Sequence, residues 1–91
     1  MKRPSKDPKY TEWRKKVIKR DKRKCQMPGC KKRGIEVHHI LRWADSPSLR
    51  YEPDNGILLC KACHKSITGK ESYFRNLFFT IVKRNNDNNT R

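Results

Sequence analysis

Seven residues of this chain carry sulfur or imidazole: Cys25, Cys30, Cys60, Cys63, His38, His39 and His64. The cysteines form two close pairs, in CQMPGC and in CKAC, the spacing of two compact metal knuckles. Four thiolates complete the tetrahedral sphere of one Zn²⁺. Disulfides are the rival reading. The opening MKRPSKDPKYTEWRKK has no apolar run able to act as a signal peptide, so reduced thiols and a structural zinc are expected. His64 adjoins Cys63, yet successive side chains on a helix diverge by about 100°. If Cys63 faces the ion, His64 faces away. Neighbours in an extended segment also point to opposite faces, which separates His38 from His39. All three histidines are left outside the zinc sphere. A single histidine of this kind is ordinarily a surface or hydrogen-bonded core residue. These three gather at two strand-like segments and a helix start, which reads as a cluster.

The elements that must position them follow from local pattern. Residues 1–7 read as a disordered basic lead-in. Asp7-Pro8 is a helix start, an N-cap followed by proline at the first helical position. Tyr10, Trp13 and Val17 recur at helical spacing through about residue 20, with Arg14, Lys15, Lys16, Lys19 and Arg20 assigned to the other faces. Pro28-Gly29 turns the first knuckle. IEVHHIL alternates as a strand, RWADSPSLRYEPDNG is loop-like, GILLC is a second strand and KACHKSI begins a helix. Thr68-Gly69-Lys70-Glu71 has the form of a capping box and predicts a fresh helix. Tyr73, Phe74, Leu77, Phe78, Ile81 and Val82 make an apolar stripe whose ordinary meaning is core or a dimer seam. The domain is expected over 8–84, with a disordered Asn-rich tail at 85–91.

Composition bounds the partners. Twenty-four Lys and Arg against nine Asp and Glu leave a formal charge of +15 on 91 residues, of which 33% are hydrophobic. One domain fits this length, and so small a core calls for a staple. So large an excess of one sign opposes compact folding, so a polyanionic partner, nucleic acid, is favoured over mere solubility. No segment has the apolar length to span a membrane.

VHHI around His38 and His39, DNGILLC around Asn55 and CKACHKSITGKE around His64 together resemble the HNH endonuclease family. EWRKKVIKRDKRKCQMPGC is similar to that family's lead-in helix and first cysteine knuckle, in the small zinc-containing bacteriophage type. The resemblance spans about residues 10–71. It implies a small α+β fold: a ββα-metal HNH core stapled by a four-cysteine zinc, flanked by N- and C-terminal helices. It further implies His38 and His64 as ligands of a catalytic divalent ion (Mn²⁺, Mg²⁺, Ni²⁺ or Zn²⁺), His39 as general base and Asn55 as the residue that orients the base or braces the loop. The implied activity is metal-dependent DNA endonuclease, nicking or weakly sequence-specific. The cytoplasm of an infected bacterial host and phage packaging proteins as partners are implied by the same resemblance.

Phosphodiester hydrolysis suits these groups. Imidazole, with an unperturbed pKa of about 6.5, accepts a proton from water around neutrality, and a divalent ion acts as Lewis acid on the phosphate. Arg42, Lys65 and Lys70 flank the expected site as phosphate contacts or as solvated surface charge. Trp13 and Trp43 read as packing residues rather than base-stacking ones. The alternative function is a non-catalytic zinc-knuckle module that binds nucleic acid; it explains charge and cysteines but leaves His38, His39, Asn55 and His64 without a purpose. The Tyr73–Val82 stripe allows a monomer or a homodimer.

Overall fold

The computed structural model describes residues 7–42 and 47–89. The first helix, α1 (Pro8–Arg20), begins where the sequence predicts: Asp7 Oδ1 accepts the Lys9 N–H at 2.9 Å, and Pro8 occupies the first turn, where a missing donor costs nothing. A hairpin of β1 (Glu36–His39) and β2 (Gly56–Leu59) follows, antiparallel, with Glu36 opposite Leu59 and His39 opposite Gly56. Short α2 (Lys61–Ser66) leads to α3 (Glu71–Asn89). This is a small α+β fold, with two strands and three helices among the described residues. No helix among these residues is long and apolar enough to cross a membrane.

The two-residue period of the hairpin divides the protein into two cores. Val37 and Leu58 face α1 and pack with Trp13 and Val17. Ile57 and Leu59 face the other way and pack with Ile67, Phe78, Ile81 and Val82. The C-terminal stripe is therefore mainly core, with Tyr73 and Leu77 left exposed. Trp13 is a packing residue, buried with its indole N–H on the Glu52 carbonyl at 2.8 Å. Trp43 lies outside the described residues.

Gly56 is where α1 touches the sheet backbone. A Cβ there would come within 2.6 Å of Trp13 Cζ2 and 2.8 Å of Val17 Cγ2. Gly56→Ala is expected to destabilise the protein by about 1–3 kcal/mol through overpacking, read from urea denaturation.

Three local expectations change. Arg20, assigned to the polar side of α1, is buried. Its guanidinium bonds both Asp21 oxygens at 2.8 and 2.9 Å and the carbonyls of Pro53 and Gly56 at 2.7 and 2.6 Å. Asp21 also accepts from the Leu58 N–H and the Asn85 amide. An arginine can be buried when its donors meet acceptors in this way. Asp21→Asn leaves the guanidinium buried without its counter-charge and should cost about 3 kcal/mol in the same denaturation measurement.

Thr68 does not cap α3. Its hydroxyl bonds the His64 carbonyl at the end of α2, Gly69 turns with φ of +86°, and α3 starts at Glu71, whose Oε1 accepts the Gly69 N–H at 3.0 Å. The left-handed glycine separates the two helices, which shifts the start past the Thr-x-x-Glu frame. Finally, α3 takes in residues 85–89 of the segment expected as tail. Asn85 bonds Asp21 and Gln26, and Asn86 bonds Asp54, so side-chain amides dock a stretch with no apolar signal. Residues 1–6 of the expected lead-in, and 90 and 91, lie outside the described residues.

Candidate metal and nuclease site

The four cysteines converge. Pro28-Gly29, with Gly29 at φ +84° and the Cys30 N–H on the Met27 carbonyl, closes a tight turn that brings Cys30 back beside Cys25. Cys60 follows β2 directly as the N-cap of α2, and one helical turn returns Cys63 to it. All four sulfurs lie within 4.8 Å of one another. Four sulfurs about 2.3 Å from one tetrahedral ion stand about 3.8 Å apart. The Cys30 and Cys60 sulfurs are 3.8 Å apart, so the donor set fits a metal–thiolate centre. The Cys63 backbone N–H, directed at Cys60 Sγ, lowers that thiol to about 7. Burial pushes Cys25 and Cys63 up instead. Cys60 is thus the sulfur best prepared to meet a cation.

The histidines divide as strand alternation requires. His38 faces the α2–α3 side, its ring 5.5 Å from that of His64 in an edge-on arrangement and 5.7 Å from Phe78. His39 faces α1, stacked on Trp13 at 4.0 Å with the planes 15° apart. Its Nε2 is 2.9 Å from the Arg50 carbonyl. A carbonyl only accepts, so Nε2 carries the proton in that bond and Nδ1 is the basic nitrogen. His64 is not among the donors grouped with the four sulfurs; its ring meets His38 and Glu36 instead.

Asn55 holds the loop between the strands. It is buried; Oδ1 accepts the Leu41 N–H at 2.7 Å, and Nδ2 donates to the Leu41 and Leu49 carbonyls, each at 3.2 Å. Leu49 precedes Arg50, so the same amide sets the carbonyl that receives His39. Asn55→Ala strands buried backbone groups and should cost about 2 kcal/mol, measured by thermal denaturation.

Chain 23–70 matches the family described as HNH endonuclease, and this match covers more than half of the sequence. The chain belongs to the HNH endonuclease family. No curated protein and no solved structure matches it. The HNH segment begins at the turn before Cys25 and ends just before α3, so it takes in both cysteine pairs, both strands, Asn55 and all three histidines. The family is one of nucleases. The HNH hairpin and α2 supply the ββα arrangement, while α1 and α3 lie outside the matched segment and pack on its two faces.

One side chain beside the HNH histidines was not singled out from sequence. Glu36 Oε1 lies 3.7 Å from His64 Nδ1. Glu36 precedes His38 by two residues in a strand, and that period alone marks it as sharing His38's face. Glu71 also carries the influence of His38 and Arg42. Its carboxyl is held below the usual range first by backbone N–H groups and then, more weakly, by those two residues. Arg42, Lys65 and Lys70 are all exposed, on the loop after β1, on α2 and just before α3. Among the described residues the four cysteines form the cluster of three or more grouped metal donors, and His38 and His64 add a pair.

Proposed function

We propose that the protein is a metal-dependent DNA endonuclease in which His39 is the general base and His38 and His64 hold a divalent ion. The observation that carries this reading is the pairing of His38, from β1, with His64, from α2, at 5.5 Å within the HNH segment. Two imidazoles would leave most of a coordination sphere to phosphate and water, so an ion held there would exchange readily. Bound there, a divalent cation supplies Lewis-acid stabilisation of charge on the scissile phosphate and the departing 3′ oxygen. His39 takes the proton of the attacking water, its ring held by the Arg50 carbonyl at Nε2 and by the stack on Trp13. Asn55 maintains that carbonyl. The products are a 5′-phosphate and a 3′-hydroxyl. The structural ion of the four cysteines is Zn²⁺, which prefers tetrahedral thiolate coordination.

With His64 holding the ion, Glu36, 3.7 Å from its Nδ1, would steer the ring from behind, the role that carboxylates play behind metal-bound histidines. Glu36→Gln is expected to raise the metal concentration needed for half-maximal cleavage by about 10-fold or more, with the rate at saturating metal largely kept. A lower saturating rate at unchanged metal requirement would contradict this role.

Supercoiled plasmid tests the function directly. Protein purified with its zinc and given Mn²⁺, Mg²⁺ or Ni²⁺ should convert supercoiled to nicked DNA, and should not do so without added metal. DNA binding without cleavage under every metal would favour the zinc-knuckle binding module instead.

A further inference from the structure

A basic groove runs between α1 and the segment that leads into β1. It measures about 1030 Å³, and its walls carry Arg14, Lys15, Lys19, Lys22, Arg23 and Arg33 with no acidic residue among the lining. It lies apart from the His38–His64 pair, which faces α2 and α3 across the sheet. Its apolar members, Ile18 and the exposed Ile35, offer no hydrogen-bonding group to a base edge.

Two of its cations occupy backbone positions that disfavour them. Lys22 and Arg23 have φ of 57° and 62°, in the left-handed region that glycine enters freely and residues with a β-carbon do not. They close α1 with bonds from the Lys22 N–H to the Lys19 carbonyl and from the Arg23 N–H to the Ile18 carbonyl, each 3.1 Å. Glycine is the usual residue at such a helix end. The backbone alone would be better served by glycine at both positions. Lysine and arginine add positive charge on the groove, and an unfavourable backbone at charged groove residues points to function.

We propose that this groove is a second contact for DNA, holding phosphodiester backbone away from the nucleotide being cut. The proposal rests on DNA being the substrate. Six cations and no acid complement a run of phosphates, and guanidinium groups grip phosphate oxygens in pairs. With no polar reader in the groove, this contact adds affinity and orientation without sequence preference.

The test is duplex DNA binding by the zinc-loaded full chain, without added catalytic metal, from about 50 to about 300 mM KCl. Lys22→Gly/Arg23→Gly should melt at or above the parent's temperature, because glycine suits both positions, and its log Kd against log salt slope should be shallower by about 2. Arg33→Gln, from the opposite wall, should lower the slope by about 1. Parent-like slopes in both variants overturn the proposal, as does a loss seen with duplex RNA and not with DNA. A parent that binds as expected but never nicks sinks the nuclease reading and leaves the groove standing. A parent that nicks while both variants keep its slope sinks the groove alone.

Discussion

Cys63→Ala is expected to lose its cooperative unfolding transition, while His64→Ala, one residue along, melts close to the parent and cleaves nothing. A structural zinc contributes about 10–16 kcal/mol to the folded state, against a net stability of about 5–15 kcal/mol for a typical domain. The apolar cores here are two small clusters on either face of a two-stranded sheet. The first knuckle connects to that sheet through backbone bonds such as Gln26 N–H to the Leu58 carbonyl, and the second is continuous with β2. An ion joining both knuckles therefore locks the hairpin between α1 and α3. Circular dichroism melts with zinc content by mass spectrometry check this, and strong chelation of the parent should reproduce the Cys63→Ala result. Because binding requires thiolates, protons compete with the ion and its stabilisation fades on acidification. Equal collapse of both variants would mean that His64 holds the structural ion.

His39→Ala and His39→Gln should each reduce plasmid cleavage by about 10²–10⁴-fold, the range for loss of a general base. The two substitutions separate chemistry from packing. Alanine removes the stacking partner of Trp13 and the bond to the Arg50 carbonyl. Glutamine keeps a donor for that carbonyl and much of the volume but cannot take a proton near neutral pH. Both should retain zinc and bind DNA, with His39→Gln the closer to parental stability. If His39→Gln cleaves within tenfold of the parent, the ring is a structural wedge and the base lies elsewhere. A cleavage rate that rises with pH through the imidazole range in the parent, and is flat in His39→Gln, would complete the assignment.

The two structural consequences share one origin in the sequence. Alternation in EVHH separates His38 from His39 before any tertiary contact is known, and helical divergence separates Cys63 from His64. Both separations are present in the fold: His38 meets His64 on one side of the sheet, His39 meets Trp13 on the other, and the sulfurs gather by themselves. The start of α1 at Asp7-Pro8, the Pro28-Gly29 turn and the hairpin were equally legible, because caps, turns and strand alternation act over a few residues. The HNH motifs marked Asn55, though not which groups it would hold.

Other features depend on residues that meet only when the chain has folded. Arg20 looks like one more cation on a basic helix, and its burial follows from Asp21, Pro53 and Gly56 converging on it from separate segments. The tautomer of His39 is set by a backbone carbonyl at Arg50, eleven residues away, which no side-chain pattern records. The asparagines that extend α3 read as a tail in the sequence because hydropathy does not register amide partners such as Asp21 and Asp54. Sequence by itself determined the metal-binding vocabulary, the family and which neighbouring side chains part company, since these depend on local geometry. Tertiary structure decided which buried polar groups are satisfied and which nitrogen of His39 is basic, since a hydrogen bond requires both partners within about 3 Å and chain distance does not specify that.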